Sequence, residues 1–416
     1  MAALIKSDIA IVGAGIAGIC AAVRAAREGL KVVLIESFPY IGGMATGALV
    51  SPFMPHHVKG KPLVAGVFEE LKNGMRARKG MIDNGFSADV FRDVAMDLLQ
   101  DAGVKLMTDA ACIEVHRDTV RLSGIDVLRK GEILRIAAEQ FIDASGDAVL
   151  ACLADAPCEI SKKQQAMTVF FHMKNVDFAR ALNYVRDEPN NFFPWSSKLY
   201  DPSRIVSVAG YLSEVREAHK QDRLSDAVDY VFYCSLPEPG KASFNCVNLL
   251  GYDGTRRADL QKACTEGRSQ IADIVRLLKN GVPGFERAEL DKVADRVGVR
   301  ETRRVTGDYV MTGEDIRSCR KFEDAVVRGC YGIDIHGQKD EDDVMEDIPE
   351  GEYYEMPKRA LIVREVENLL AAGRCMSATR EAHAALRIMP TCAGMGEAAG
   401  RIAAKAVLEH KTLREI

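Results

Sequence analysis

Two kinds of side chain in this chain of 416 residues have the chemistry to handle a proton or an anion. Among eight histidines, His336 ends the segment YGIDIH, and His56 and His57 adjoin in SPFMPHHVKG. An imidazole titrates near neutrality and suits general acid–base work. The arginines are the other group. GVRETRRVTGDY sets Arg300, Arg303 and Arg304 around Glu301, and Arg387 falls in LRIMPT. A guanidinium clamps a carboxylate bidentately, which an ammonium does not reproduce. Read as a strand, the first segment puts Arg303 and Glu301 on one face and Arg300 and Arg304 on the other. His57, Arg303, His336 and Arg387 are the candidates for the chemical step. The competing readings are loop histidines with ordinary hydrogen bonds and an Arg–Glu network that ties two units together.

The elements that must position these groups begin with DIAIVGAGIAGICAAVRAAREGLKVVLIE. A buried strand, a glycine turn, an alanine-rich helix and a second buried strand make a compact βαβ unit. In the turn Gly13-Ala14-Gly15-Ile16-Ala17-Gly18, backbone N–H groups at a helix start can approach a pyrophosphate. Glu36, with Ser37 beside it, closes the second strand, where a carboxylate accepts from both ribose hydroxyls of an adenosine. NAD and FAD share that ADP half. The choice rests on a second glycine loop, IGGMATG, in which Gly42 and Gly43 precede Met44, Ala45 and Thr46. A longer cofactor such as FAD can lie against a second loop of bare backbone. FIDASGD adds Gly146 and Asp147 on the pyrophosphate side. Near the C-terminus a strand ends at Gly373 and Arg374, and after a long connection over 374–390 a helix opens around Thr391, Gly394, Met395 and Gly396. That helix end aims its amides (about 392–396) and partial positive charge at the flavin.

Further along, PLVAGVFEELKNGM, with Val64, Val67, Phe68, Leu71 and Met75, and SADVFRDVAMDLLQDAG show helical spacing. Strand patterns follow from Val104. Residues 159–351 change texture: alternating strands such as DYVFYCSLP and ASFNCVNLLG join a long amphipathic helix, RADLQKACTEGRSQIADIVRLLKNG. An acidic stretch, GQKDEDDVMEDIPEGE, reads as a solvated loop. Strand texture then returns in RALIV and NLLAAG.

Composition sets outer limits. Hydrophobic residues make up 47% and charged residues 28%, as in ordinary globular chains. A net charge of −5 offers no attraction to nucleic acid or anionic lipid, and no apolar run has membrane-spanning length. The opening MAALIKS is too short for a signal peptide, so a cytoplasmic location is expected. The eleven cysteines include no C-x-x-C pair, which argues against an iron–sulfur set, a metal site or a dithiol redox centre.

The motifs IVGAGIAG…LIE, GGMATG, GVRETRRVTGDYVMT, YGIDIH, YYEMPKRALI and ENLLAAGRCMSATREAHAALRIMPTCAGMGEAAG together resemble the FAD-dependent oxidoreductase family. Its relatives share the glutathione-reductase-type flavin fold with fumarate reductases. The resemblance implies an α/β fold: a Rossmann-like FAD-binding domain with an inserted α+β substrate domain. The expected boundaries are 1–158 and 352–416 for the FAD domain, with a cap contribution from about 50–85, and 159–351 for the insertion. Relatives that attach FAD covalently carry a histidine after the glycine pair. Met44, Ala45 and Thr46 stand there, so non-covalent FAD is expected. The functional expectation is hydride transfer between FAD and a small anionic metabolite. Electron transfer to a redox partner protein and a cofactor-free binding scaffold are the alternatives. Self-association is left open.

Overall fold

The computed structural model describes residues 3–337 and 343–416. Five short parallel strands form its central sheet, in the order Leu369–Ala371, Gln140–Asp143, Ile9–Val12, Val32–Ile35, Lys105–Met107. Leu369–Ala371, Ile9–Val12 and Val32–Ile35 read as unbroken apolar runs because both sheet faces are covered. Along Ile9–Val12, Ile9 and Ile11 join the core on one side, while Ala10 and Val12 join the core on the other.

On the first side lie the helices Ile16–Ala26 and Met389–Glu409, which cross closely because small residues face each other. A Cβ on Gly396 would stand 2.0 Å from Ala17 O, and one on Gly400 2.3 Å from Ala21 O. Against the other side packs a four-stranded sheet, Ala3–Lys6, Glu132–Ala137, Leu122–Arg129 and Ala110–Arg117.

A second core is built on an antiparallel sheet in the order Ser207–Gly210, Val231–Ser235, Ala242–Phe244, Phe171–Lys174, Glu289–Val293. The helices Phe178–Asp187 and Arg257–Gly281 pack on it through Leu182, Val185, Ile271, Ile274 and Leu278. Met311, Ile316, Val327 and Ile333, read from the sequence with the insertion, pack with the helices beside the parallel sheet.

Several local readings change. Val64 precedes its helix, which runs Val67–Ala77. RALIV is a 3-10 turn at Lys358–Ala360 followed by isolated bridges, because Ile362 and Val363 pair at single positions rather than along a ladder. The connection after Gly373 holds a helix, Arg380–Leu386. Part of the acidic stretch, 338–342, lies outside the described residues. Within the remainder, Val344–Glu346 is a strand paired with Ile333–Ile335, so it is not loop throughout.

A candidate flavin and substrate site

Where the strands of the parallel sheet end, the chain encloses a cavity of about 440 Å³. Its first wall is the glycine turn. Gly13 takes φ +101°, and a Cβ there would stand 2.3 Å from Ala144 O, so only glycine fits. Gly15 differs: a Cβ there would meet no protein atom nearer than 3.9 Å, and the space it leaves opens on the cavity. Gly18 lies behind the wall, pressed on Gly13 O. The second glycine loop docks on the first, with Gly42 N–H donating to Ala14 O at 2.8 Å. Gly42, Gly43, Met44 and Ala45 line the cavity, while Thr46 turns inward to donate its hydroxyl to Ile41 O.

Glu36 is buried at the end of its strand. Its carboxylate accepts from Ala14 N–H at 2.8 Å and Phe38 N–H at 3.0 Å, and the Ser37 hydroxyl lies 3.2 Å away. It therefore braces the turn while lining the cavity with Ile16, Ala17 and Ser37. Across from it, Asp147 accepts from Arg374 at 2.7 Å and from the Thr302 hydroxyl at 2.8 Å. Burial alone would raise this carboxyl, but Arg374 and Thr302 outweigh it and hold it below its ordinary value. Gly146, Gly373 and Arg374 complete this wall. Arg296, which lies outside every motif, stacks its guanidinium 3.7 Å from the Phe38 ring centre and lines the same end. The bare backbone at Gly15, the acidic brace and two arginines suit a nucleotide diphosphate.

The far end of the cavity is polar. Arg300 and Arg387 both line it, with Asp334, His336 and Tyr331. Arg387 caps the C-terminus of Arg380–Leu386, and its guanidinium donates to Gln165 Oε1 at 3.3 Å and Asp334 O at 3.2 Å. Its Nε and Gln165 Nε2 are buried without a hydrogen-bond partner. Arg300 donates to Ala166 O, and burial followed by Arg387 lowers it to about 10. His336 Nε2 lies 3.3 Å from Asp334 Oδ1, and the Tyr331 hydroxyl donates to Asp334 Oδ2 at 2.6 Å. Burial would raise Asp334, but His336, Arg387 and Tyr331 hold it well below the carboxylate range. The Arg300 charge, then burial, lowers His336. This favours the neutral ring.

Other candidates stand elsewhere. Arg303 does not line the cavity; its guanidinium is 3.5 Å from Asp147 O. Only Arg303–Val305 is strand, so the alternation expected across 300–304 fails: Glu301 meets Arg304 at 2.9 Å and Arg300 reaches the cavity. His57 is exposed in the small hairpin His57–Val58/Lys61–Pro62. Its neighbour His56 is buried, donating from Nδ1 to Met54 O and accepting from the fully buried Lys72 Nζ at 2.9 Å. The last helix starts at Met389, and Cys392 N–H already donates to Ile388 O. The amides lacking an intrahelical acceptor are thus those of Met389 and Thr391, since Pro390 has none. Ile388, Met389 and Cys392 line the cavity; Thr391, Gly394, Met395 and Gly396 do not. Asp334, Tyr331, Gln165 and Arg296 were missed, although Asp334 and Tyr331 stand in the motif that ends at His336; Arg300, named with its neighbours, was not chosen among the candidates.

The fold and site define an α/β FAD-binding oxidoreductase. The chain belongs to the family described as FAD dependent oxidoreductase, which matches residues 8–416, and FAD is its cofactor. A digeranylgeranylglycerophospholipid reductase of Methanothrix thermoacetophila is 33% identical over 159 residues, 34% of this chain and 39% of that protein. The Picrophilus torridus protein of the same name is 29% identical over 157 residues, 34% of this chain and 40% of its own. The matched stretch thus spans about two fifths of these curated relatives. Among solved structures, a geranylgeranyl bacteriochlorophyll reductase-like protein of Thermoplasma acidophilum is 14% identical with a TM-score of 0.49. That alignment covers 98% of this chain and 80% of the other. Among the described residues, no helix is long and apolar enough to cross a membrane.

Proposed function

We propose that this FAD-dependent oxidoreductase acts on an anionic metabolite held at the polar end of the cavity, with Arg300 and Arg387 as the clamp and His336 as the proton-handling group. One observation carries the reading: two arginines, Arg300 and Arg387, line the cavity with a single carboxylate, Asp334, and with His336. That leaves one positive charge for a substrate anion to balance, and buried charge without a counter-ion is costly. Bound FAD supplies a two-electron acceptor or donor. The chain must then fix the substrate and move one proton. Neutral His336 can accept that proton in the oxidising direction, with Asp334 stabilising the imidazolium. Tyr331, tied to Asp334, keeps the carboxylate oriented. In this reading Gly13, Gly15, Glu36, Gly42, Gly43, Asp147, Arg374 and Arg296 hold the cofactor without a covalent bond, and the antiparallel unit caps the cavity.

A second reading is favoured by Phe170, Phe232, Val299 and Met54, which give the cavity apolar walls. With relatives named for a lipid reductase, these walls suit an isoprenoid substrate whose anionic head meets the arginines. The experiment photoreduces the holoprotein without oxygen. It then adds unsaturated and 2-oxo carboxylates, or an unsaturated isoprenoid phospholipid in detergent, and follows the return of visible flavin absorbance. Return with a small carboxylate, lost in Arg387→Lys, is expected. Return with the phospholipid alone replaces the first reading by the second.

A further inference from the structure

No two of the eleven cysteines are spaced as C-x-x-C, yet the fold brings Cys152 and Cys158 together, with sulfurs 3.7 Å apart. Cys152 lies on the helix Val149–Leu153, and Cys158 opens the strand Cys158–Ile160, which pairs antiparallel with Arg303–Val305. Both are partly exposed, and neither lines the cavity. Among the described residues no other two cysteine sulfurs are in contact.

We propose that Cys152 and Cys158 form a reversible redox modification site, closing to a disulfide by exchange with a small disulfide such as oxidised glutathione. The sulfurs must approach from 3.7 Å to about 2.05 Å. Arg303, on the strand paired with that of Cys158, supplies the positive charge that favours a thiolate on Cys152. The contact with Cys158, then Arg303, draws the Cys152 thiol down, while that same contact and burial push Cys158 up. Cys152 is therefore the attacking sulfur and Cys158 the resolving one. The Cys152 thiolate attacks one sulfur of the small disulfide, whose S–S bond breaks to release one thiol and leave a mixed disulfide on Cys152. Cys158 then gives up its proton and attacks the Cys152 sulfur, releasing the second thiol. Two electrons pass from the protein pair to the small disulfide. This inference does not depend on the substrate assignment, and it gives the Arg303 charge a task away from the cavity.

The test uses the full chain with FAD bound. It is incubated with oxidised glutathione, quenched with iodoacetamide and digested with trypsin. No Lys or Arg lies between the two cysteines, so both stay in one peptide. The expected result is that this peptide loses two hydrogens and escapes alkylation, with two of the eleven thiols lost and restored by dithiothreitol. Cys158→Ser should trap glutathione on Cys152, whereas Cys152→Ser should leave Cys158 unmodified. Full alkylation of both cysteines under conditions that glutathionylate other thiols would overturn the proposal. So would pairing of either with a different cysteine. Should a variant fail to fold, the wild-type peptide map decides alone.

Discussion

Arg387 shows how much one guanidinium is asked to do. It caps a helix, touches Gln165 and Asp334, and keeps its Nε buried without a partner. Arg387→Lys should fold and keep FAD but lose the fork. A buried charge pair broken at one partner costs on the order of 2–5 kcal/mol, so kcat/KM for a carboxylate should fall roughly tenfold or more. Wild-type kcat/KM in that variant would remove the clamp. At the other end, Glu36→Ala leaves the Ala14 and Phe38 amides without their acceptor. Each unsatisfied buried donor costs about 1–3 kcal/mol. Flavin content after gel filtration should drop, and Glu36→Gln should recover part of it. Met44 lines the cavity where a covalent relative carries histidine, and His56 is occupied by Lys72 and Met54. Acid precipitation should therefore release all colour to the supernatant; a yellow pellet would refute non-covalent binding.

At the scale of elements, the crossing of Ile16–Ala26 and Met389–Glu409 sets both the glycine turn and the wall from Ile388 to Cys392. Gly396→Ala inserts a methyl 2.0 Å from Ala17 O, where backbone has to move. Overpacking of this kind costs about 1–3 kcal/mol. Thermal unfolding should shift down, and flavin should be released more readily, because the turn and the last helix move together. Gly281→Ala is the matched control: it ends the long helix Arg257–Gly281, and a Cβ there meets nothing within 4 Å. Equal unfolding midpoints for the two variants would mean that the helix crossing tolerates a methyl.

Across the whole molecule, three buried histidines and the half-buried His336 weaken the fold in acid. Burial lowers His56 and His172 to about 4, burial and Arg304 hold His383 well below its ordinary value, and Arg300 and burial lower His336. In the unfolded chain these rings take a proton near the ordinary value of about 6.5. Between that value and the folded one the unfolded state binds more protons, so stability is full above about pH 6.5 and falls as the pH drops. His56 and His172 each account for a loss on the order of 3 kcal/mol by pH 4. Urea unfolding from pH 7 to 5 should show a falling midpoint, shallower in His172→Gln. A flat profile would exclude the linkage.

The nucleotide half was legible in the sequence because its signals are local. Gly13, Gly15, Gly18 and Glu36 sit within one βαβ unit, where chain geometry places a turn and a strand end without help from distant residues. The same holds for strands that are apolar at every position, since burial on both faces leaves no alternation to misread. The polar end of the cavity is different. Arg300, the Asp334–His336 segment and Arg387 are far apart in the chain, and only the packing of Gln165 and Ala166 against them decides which arginine enters. Periodicity set Arg303 beside Glu301 and Arg300 on the opposite face because it assumed a strand over 300–304, whereas the ladder begins at Arg303. The glycines of the last helix misled for a related reason. Closeness to a ligand and closeness to another helix require the same absent side chain, and only the fold shows that Gly396 faces Ala17. The contact between Cys152 and Cys158 is likewise tertiary, made when a short helix and the strand after it turn back on one another.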